Sequence, residues 1–325
     1  MSSQPDRIVA VATGYMAAKQ LFSASRAGLF AALAAGPATV AELAARTGLP
    51  ERTTRILADT MTGLGLLDRA DGRYANAPDA ARHLAGAGDD VDLRPFLTFL
   101  DGISYGHWLA FDETVATGGP APLDLGGERM TTFLTGVMTY NALHAKMLAK
   151  LYDFSGHRRA LDFGGLSGAF LAEALTSAPG LTGVFLSGGQ LTGHARKTLA
   201  DAGVGERVTV TESDVLTGEV PSGFDLVLLE HVVHRYEPEQ NVRIAERARQ
   251  AAAPGARLLV LDFFLDDEPR QRTLDALHAG EYLMIDGTTV YPHDEVCSWL
   301  TGAGWEPMET RALPGCPRVI VAQAN

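Results

Sequence analysis

Apolar residues recur at helical spacing from residue 7 to 35, at Ile8, Val11, Tyr15, Met16, Leu21, Phe22, Leu29, Phe30 and Leu33, in an alanine-rich stretch without proline. They occupy more than one face of the expected helix, which calls for burial against a partner subunit, and Gly36 with Pro37 ends it. Thr39 to Glu42 has the form of a capping box and starts a short helix that stops at Thr47 and Gly48. A second helix begins at Pro50 and Glu51, with Thr54, Ile56, Leu57, Met61 and Leu64 expected on its inner side. After Leu66 and Leu67, the pair Asp71 and Gly72 is a two-residue hairpin signal. Helix, turn, helix and hairpin together read as a winged helix.

From residue 158 the pattern changes to alternating short strands and helices. Strands are expected at Ala160 to Phe163, Thr182 to Leu186, Arg207 to Thr211, Asp225 to Leu229, Arg257 to Phe264, Trp305 to Arg311 and Arg318 to Ala322. Helices fall near 168–177, 190–202, 238–252, 273–284 and 293–303. This alternation predicts an α/β fold with a doubly wound, mostly parallel seven-stranded sheet, whose ligands bind at the carboxyl ends of the strands. Three segments follow: a winged-helix dimerisation domain over 1–95, a helical connection over 96–150 and the α/β domain over 151–325.

Composition narrows the function. With 46% hydrophobic and 20% charged residues the chain is an ordinary globular one, and 27 basic against 39 acidic residues leave a net charge of −12. That charge disfavours nucleic acid and anionic lipid. The winged helix does not reverse this, since residues 38–85 hold six arginines against six acids. Two cysteines, Cys297 and Cys316, make no disulfide framework and point to a reducing cytoplasm, and no signal peptide or long apolar run is present.

Candidate chemistry gathers at the strand ends. The first strand runs into Asp162, Phe163, Gly164, Gly165, Leu166, Ser167 and Gly168, a glycine turn opening directly into a helix. Asp214 follows the third strand, and Glu230, His231, His234, Arg235 and Tyr236 follow the fourth. Together with Asp153 to Gly156, Ala253 to Arg257, Leu261 to Asp267 and Tyr291 to Trp299, these stretches resemble, in order over nearly the whole chain, the class I S-adenosylmethionine-dependent O-methyltransferases of the plant phenolic and bacterial polyketide-tailoring type.

The resemblance implies a homodimer that acts on a hydroxylated aromatic or polyketide-like small molecule. It implies His234 as the base that takes the acceptor hydroxyl's proton, with Asp262 orienting the imidazole. The implied cofactor site takes in Asp162, Gly164, Gly165, Leu166, Ser187, Asp214, Val215, Glu230 and Tyr236. An acceptor pocket is implied at His107, Trp108, Phe133, Met138, Asn141, His144 and Met284, and no metal. Four positions depart from the family pattern. Leu166 replaces a third glycine, where its side chain is expected against the ribose or methionine tail, and Ser187 stands where an acid usually accepts the ribose hydroxyls. Arg235 replaces an aspartate, and no acid stands at Thr289 or Val290 unless Asp286 or Asp294 substitutes. These departures keep open a second reading, a cofactor-independent reaction on the same scaffold (lyase, dehydratase, pericyclase, hydroxylase or decarboxylase) with His234, His231 and Arg235 as its catalytic set. A winged-helix regulator is the more distant alternative. His231 is expected to face solvent, and His83, His157, His194, His278 and His293 to lie on surfaces or helix ends.

Overall fold

A computed structural model describes residues 5–325 apart from 87, 89 and 267–270. The chain forms two compact units, one holding the chain up to Leu109 with Asp124–Tyr140, the other Ala110–Leu123 with Asn141–Asn325. The expected connection over 96–150 is thereby shared between both, and the last of the three boundaries falls inside the helix Glu128–Leu151.

In the first unit the helix Asp6–Arg26 stops before Gly28, whose φ of 74° is left-handed, and a short helix Leu29–Ala32 follows. The single helix expected over 7–35 is therefore broken, because a left-handed residue cannot continue a right-handed helix. Thr39 caps the helix Val40–Thr47: its hydroxyl accepts from the Glu42 N–H at 3.3 Å, and the Glu42 carboxylate accepts from the Thr39 N–H at 2.7 Å. In the next helix, Glu51–Gly63, the buried face is Thr54, Ala58 and Met61. Ile56 and Leu64, expected inside, are 50% and 47% exposed. The i, i+4, i+7 row from Thr54 runs through Ala58, and Ile56 lies off it. The hairpin joins β1 (Leu67–Ala70) to β2 (Arg73–Asn76) with Asp71 and Gly72 both at positive φ, 50° and 73°, as a two-residue turn of matching twist requires.

The second unit is built on seven strands: β3 (Arg159–Phe163), β4 (Thr182–Ser187), β5 (Val208–Glu212), β6 (Phe224–Glu230), β7 (Ala252–Asp262), β8 (Trp305–Ala312) and β9 (Arg318–Ala324). Their order is β5-β4-β3-β6-β7-β9-β8, parallel from β5 to β7 and antiparallel at β9 and β8. The sheet reads as expected, with one shift: the strand expected at Arg257 to Phe264 begins at Ala252 and ends at Asp262. Its start pairs with Phe224 through a bulge, and its end places Asp262 at the last ladder position. Alternate residues face two cores, Leu161, Val227, Leu229 and Val260 on one side and Ala160, Leu226, Leu228 and Leu259 on the other. The order in which successive strands are added switches sides between the parallel neighbours β3 and β6, so a crevice opens at their carboxyl ends. Among the described residues no helix is long and apolar enough to cross a membrane.

Candidate active site

The glycine turn follows β3. Gly164 has a φ of 86° and donates its N–H to the Leu186 carbonyl at 2.7 Å. A Cβ at Gly165 would lie 2.3 Å from the Asp162 carboxylate, so no side chain fits there. Ser167 closes the turn by donating to the buried Asn141 side chain.

Asp162 and Glu230 lie beneath this turn, 0% and 2% exposed. Gly165 N–H donates to one Asp162 oxygen at 3.2 Å. Among the described residues the other Asp162 oxygen and both Glu230 oxygens find no hydrogen-bond donor. Burial pushes Asp162 up to about 7, and burial with the neighbouring Asp162 charge pushes Glu230 well above the usual carboxylate range. Burial thus favours the neutral form of both carboxyls.

At the end of β6 the backbone turns sharply: His231 has a φ of 54°, a strained value for a residue with a Cβ. The turn Val233–Arg235 then brings His234 Nδ1 to 3.0 and 2.9 Å from the two oxygens of Asp262, the last residue of β7. The His234 and Phe263 N–H groups also donate to that carboxylate, at 3.3 and 3.0 Å. Burial opposes the charge of Asp262, but the attraction of His234 and these hydrogen bonds outweigh it and hold the carboxyl below its usual range. A carboxylate at Nδ1 selects the tautomer whose Nε2 carries a lone pair.

His231 is 5% exposed, not solvent-facing as expected, because its left-handed backbone directs the ring inward. Its Nε2 is 2.9 Å from His144 Nδ1, and its Nδ1 is 4.0 Å from Asp262. Burial pushes His231 down to about 4 and His144 well below its ordinary value, so both rings are neutral at pH 7. Ligand atoms of His231, His234 and Asp262 lie within 4.8 Å of one another. Arg235 donates Nε to the His231 carbonyl at 2.7 Å and Nη2 to the Gly164 carbonyl, tying the histidine turn to the glycine turn. Its guanidinium is thereby spent on backbone.

Sequence reasoning missed an aromatic wall. Tyr282 lies 4.4 Å from the His234 ring, and His278 stacks on Phe263 at 3.8 Å. His278 is thus packed inside rather than on a surface, and burial pushes its pKa down to about 4. The helix Thr273–Asp286 carries both, together with the fully buried Met284. Spacing alone marked neither ring, since the phase of that helix against Phe263 is a tertiary fact. Asp286 bonds its own turn at Thr288, and Asp294 lies against His293, so neither supplies a second carboxylate to His234. His107, Trp108, Phe133 and Met138 belong to the other unit, where Phe133 meets Phe99 edge-on at 5.4 Å.

Beside the histidine turn opens a cavity of about 500 Å³ lined by Gly164, Ser187, Gly188, Gly189, Leu191, Glu212, Ser213, Asp214, Val215, Arg235 and Tyr236. Asp214 accepts from the N–H groups of Leu216 and Thr217 and from the Thr217 hydroxyl, each at 2.9 Å, which lowers its pKa. Leu166, whose side chain is half-buried, is not among the residues that line this cavity. Asp162 and Glu230, also expected to touch the cofactor, lie under the turn rather than on the cavity wall.

Residues 124–306 match the O-methyltransferase domain, and 9–86 the O-methyltransferase dimerisation domain. The chain belongs to the O-methyltransferase family. Members similar to it include the 3-hydroxy-5-methyl-1-naphthoate 3-O-methyltransferase of Streptomyces sahachiroi, 31% identical over 97% of this chain and 94% of that protein. The tetracenomycin polyketide synthesis 8-O-methyl transferase of Streptomyces glaucescens is 26% identical over 96% and 94%. The crystal structure of the S-adenosylmethionine-dependent methyltransferase SibL superposes with a TM-score of 0.85 at 29% identity, covering 99% of each chain. The family member described here is accordingly an enzyme of S-adenosylmethionine-dependent O-methyl transfer.

Proposed function

We propose that this O-methyltransferase holds S-adenosylmethionine in the cavity over Gly164 and methylates a hydroxyl of an aromatic or polyketide-like small molecule, with His234 as general base. The observation that carries the reading is the His234–Asp262 pair at the ends of β6 and β7, in the residues that lead directly into the cavity wall at Arg235 and Tyr236.

The cavity fits an adenosyl ligand in size and chemistry. Its volume lies in the range of small-molecule sites, and Gly164 lines it without a side chain, where a Cβ would meet Val215 at 3.0 Å. Gly164, Asp214, Val215 and Tyr236 would hold the cofactor, which supplies an electrophilic methyl group when bound. His234 Nε2 takes the acceptor's proton, and Asp262 holds Nδ1–H and stabilises the imidazolium that results. His231, neutral and paired with His144, lies 4.0 Å from Asp262 and adds no charge there, and Arg235 is a positioning residue that keeps the two turns in register. Tyr282, packed against the buried Phe263 on which His278 stacks, supplies an apolar face for a planar acceptor beside His234.

The protein works as a homodimer through its amino-terminal domain, a reading supported by the match to a dimerisation domain and by the exposed apolar side chains on the helix Asp6–Arg26. The free thiols of Cys297 and Cys316 suit a cytoplasmic setting. The test is transfer of labelled methyl from S-adenosylmethionine to a panel of hydroxylated naphthoates and polyketide phenols. His234→Ala should lose turnover at least a thousandfold while S-adenosylhomocysteine still binds; undiminished turnover would remove His234 from the mechanism.

A further inference from the structure

A carboxylate at the carboxyl end of the second parallel strand is the usual acceptor for both ribose hydroxyls of an adenosyl ligand. In this chain that position, the last residue of β4, is Ser187. We infer that Glu212 supplies the missing carboxylate from the neighbouring strand, an assignment that rests on S-adenosylmethionine occupying the cavity over Gly164.

Three observations converge on Glu212. It ends β5 and is the register partner of Ser187 across the parallel β4–β5 ladder, so both side chains leave the same face of the sheet at the same level. Both residues line the cavity, in which Ser187 offers only a short hydroxyl. The Glu212 side chain then reaches back across the end of β4: a Cβ built on Gly189 would lie 2.2 Å from one carboxylate oxygen and 3.1 Å from the other. The carboxylate therefore occupies space that any other residue at 189 would fill. Gly188 and Gly189 together strip the strand-to-helix turn to its backbone at this point.

Among the described residues the Glu212 carboxylate accepts no hydrogen bond and forms no ion pair, so its lone pairs are available to a ligand. A vicinal diol offers two parallel O–H donors, which two oxygens of one carboxylate accept together. A serine hydroxyl cannot provide that pair. Transfer of the acid by one strand keeps the site's charge while changing the residue that carries it, so position-by-position comparison along the chain registers only a loss at Ser187.

The experiment is calorimetric titration with S-adenosylhomocysteine and with its 2′,3′-dideoxyribose analogue. Glu212→Gln should weaken S-adenosylhomocysteine about 30- to 100-fold and leave the analogue within about twofold, because only the diol is read by the carboxylate. Adding Ser187→Asp to Glu212→Gln should recover at least tenfold for S-adenosylhomocysteine. Equal affinity of wild type and Glu212→Gln for S-adenosylhomocysteine overturns the role of Glu212 alone, as does an equal loss for both compounds, which would mark a general effect on the turn. Wild-type protein that binds neither compound overturns the placement of the cofactor, and the role of Glu212 with it. Thermal melts of each variant exclude unfolding as the cause of a loss.

Discussion

The chemistry of a single imidazole depends on the atom its neighbour holds. Asp262 accepts at His234 Nδ1 and from two backbone N–H groups, so its carboxylate is fixed in place before any substrate arrives. Asp262→Asn keeps the shape but removes the charge and frees the tautomer, and kcat should fall about 10²- to 10⁴-fold. S-adenosylhomocysteine affinity should stay within about threefold; a parallel loss in affinity would show that Asp262 serves the cofactor rather than the base. That His234 meets Asp262 was legible from the family resemblance at two strand ends. The fixed partner of His231 was not, because His144 lies 87 residues away and reaches it only through packing.

Among the elements, the glycine turn carries a substitution whose effect depends on where the turn places it. Leu166 replaces a glycine, yet the cavity wall runs through Gly164 and leaves it out. Leu166→Gly should therefore leave S-adenosylhomocysteine affinity within about twofold while lowering stability by about 0.5–1 kcal/mol through added backbone entropy. A tenfold gain in affinity would restore the obstruction. Gly165→Ala is the contrasting change: its methyl meets the Asp162 carboxylate, and a loss of about 1–3 kcal/mol in stability is expected in denaturant melts. The inner face of the helix Glu51–Gly63 was legible at Thr54 and Met61 and misassigned at Ile56 and Leu64, since apolarity names candidates for burial and helical phase chooses among them.

For the molecule as a whole, two features set conditions of use. Ile8, Val11 and Tyr15 are 75%, 82% and 56% exposed on one helix, an arrangement that a partner subunit would cover. Ile8→Asp with Val11→Asp should shift the mass in light scattering from dimer toward monomer, and an unchanged mass would place the interface elsewhere. The buried Asp162–Glu230 pair makes stability fall with rising pH. Because Asp162 is raised to about 7 in the folded protein, the folded state keeps a proton that the unfolded chain releases near pH 4. This contribution is complete below the unfolded value and is lost as pH climbs through about 7. Melting temperature should accordingly decline more steeply from pH 5 to pH 8 in the wild type than in Asp162→Asn, and equal slopes would show that the pair does not share a proton.

The amino-acid sequence by itself determined the winged helix, the order of strands and helices, the place of the glycine and histidine turns at strand ends and the family. Each follows from periodicity and turn chemistry within a few residues, or from short motifs in a fixed order. Only the tertiary structure decided that Leu166 is not among the residues lining the cavity, that His231 turns inward to His144, that Asp162 meets Glu230, and that Glu212 lies across from Ser187. Those are matters of strand register, backbone handedness and desolvation, which depend on residues tens of positions apart and acquire an energy only when the chain is packed.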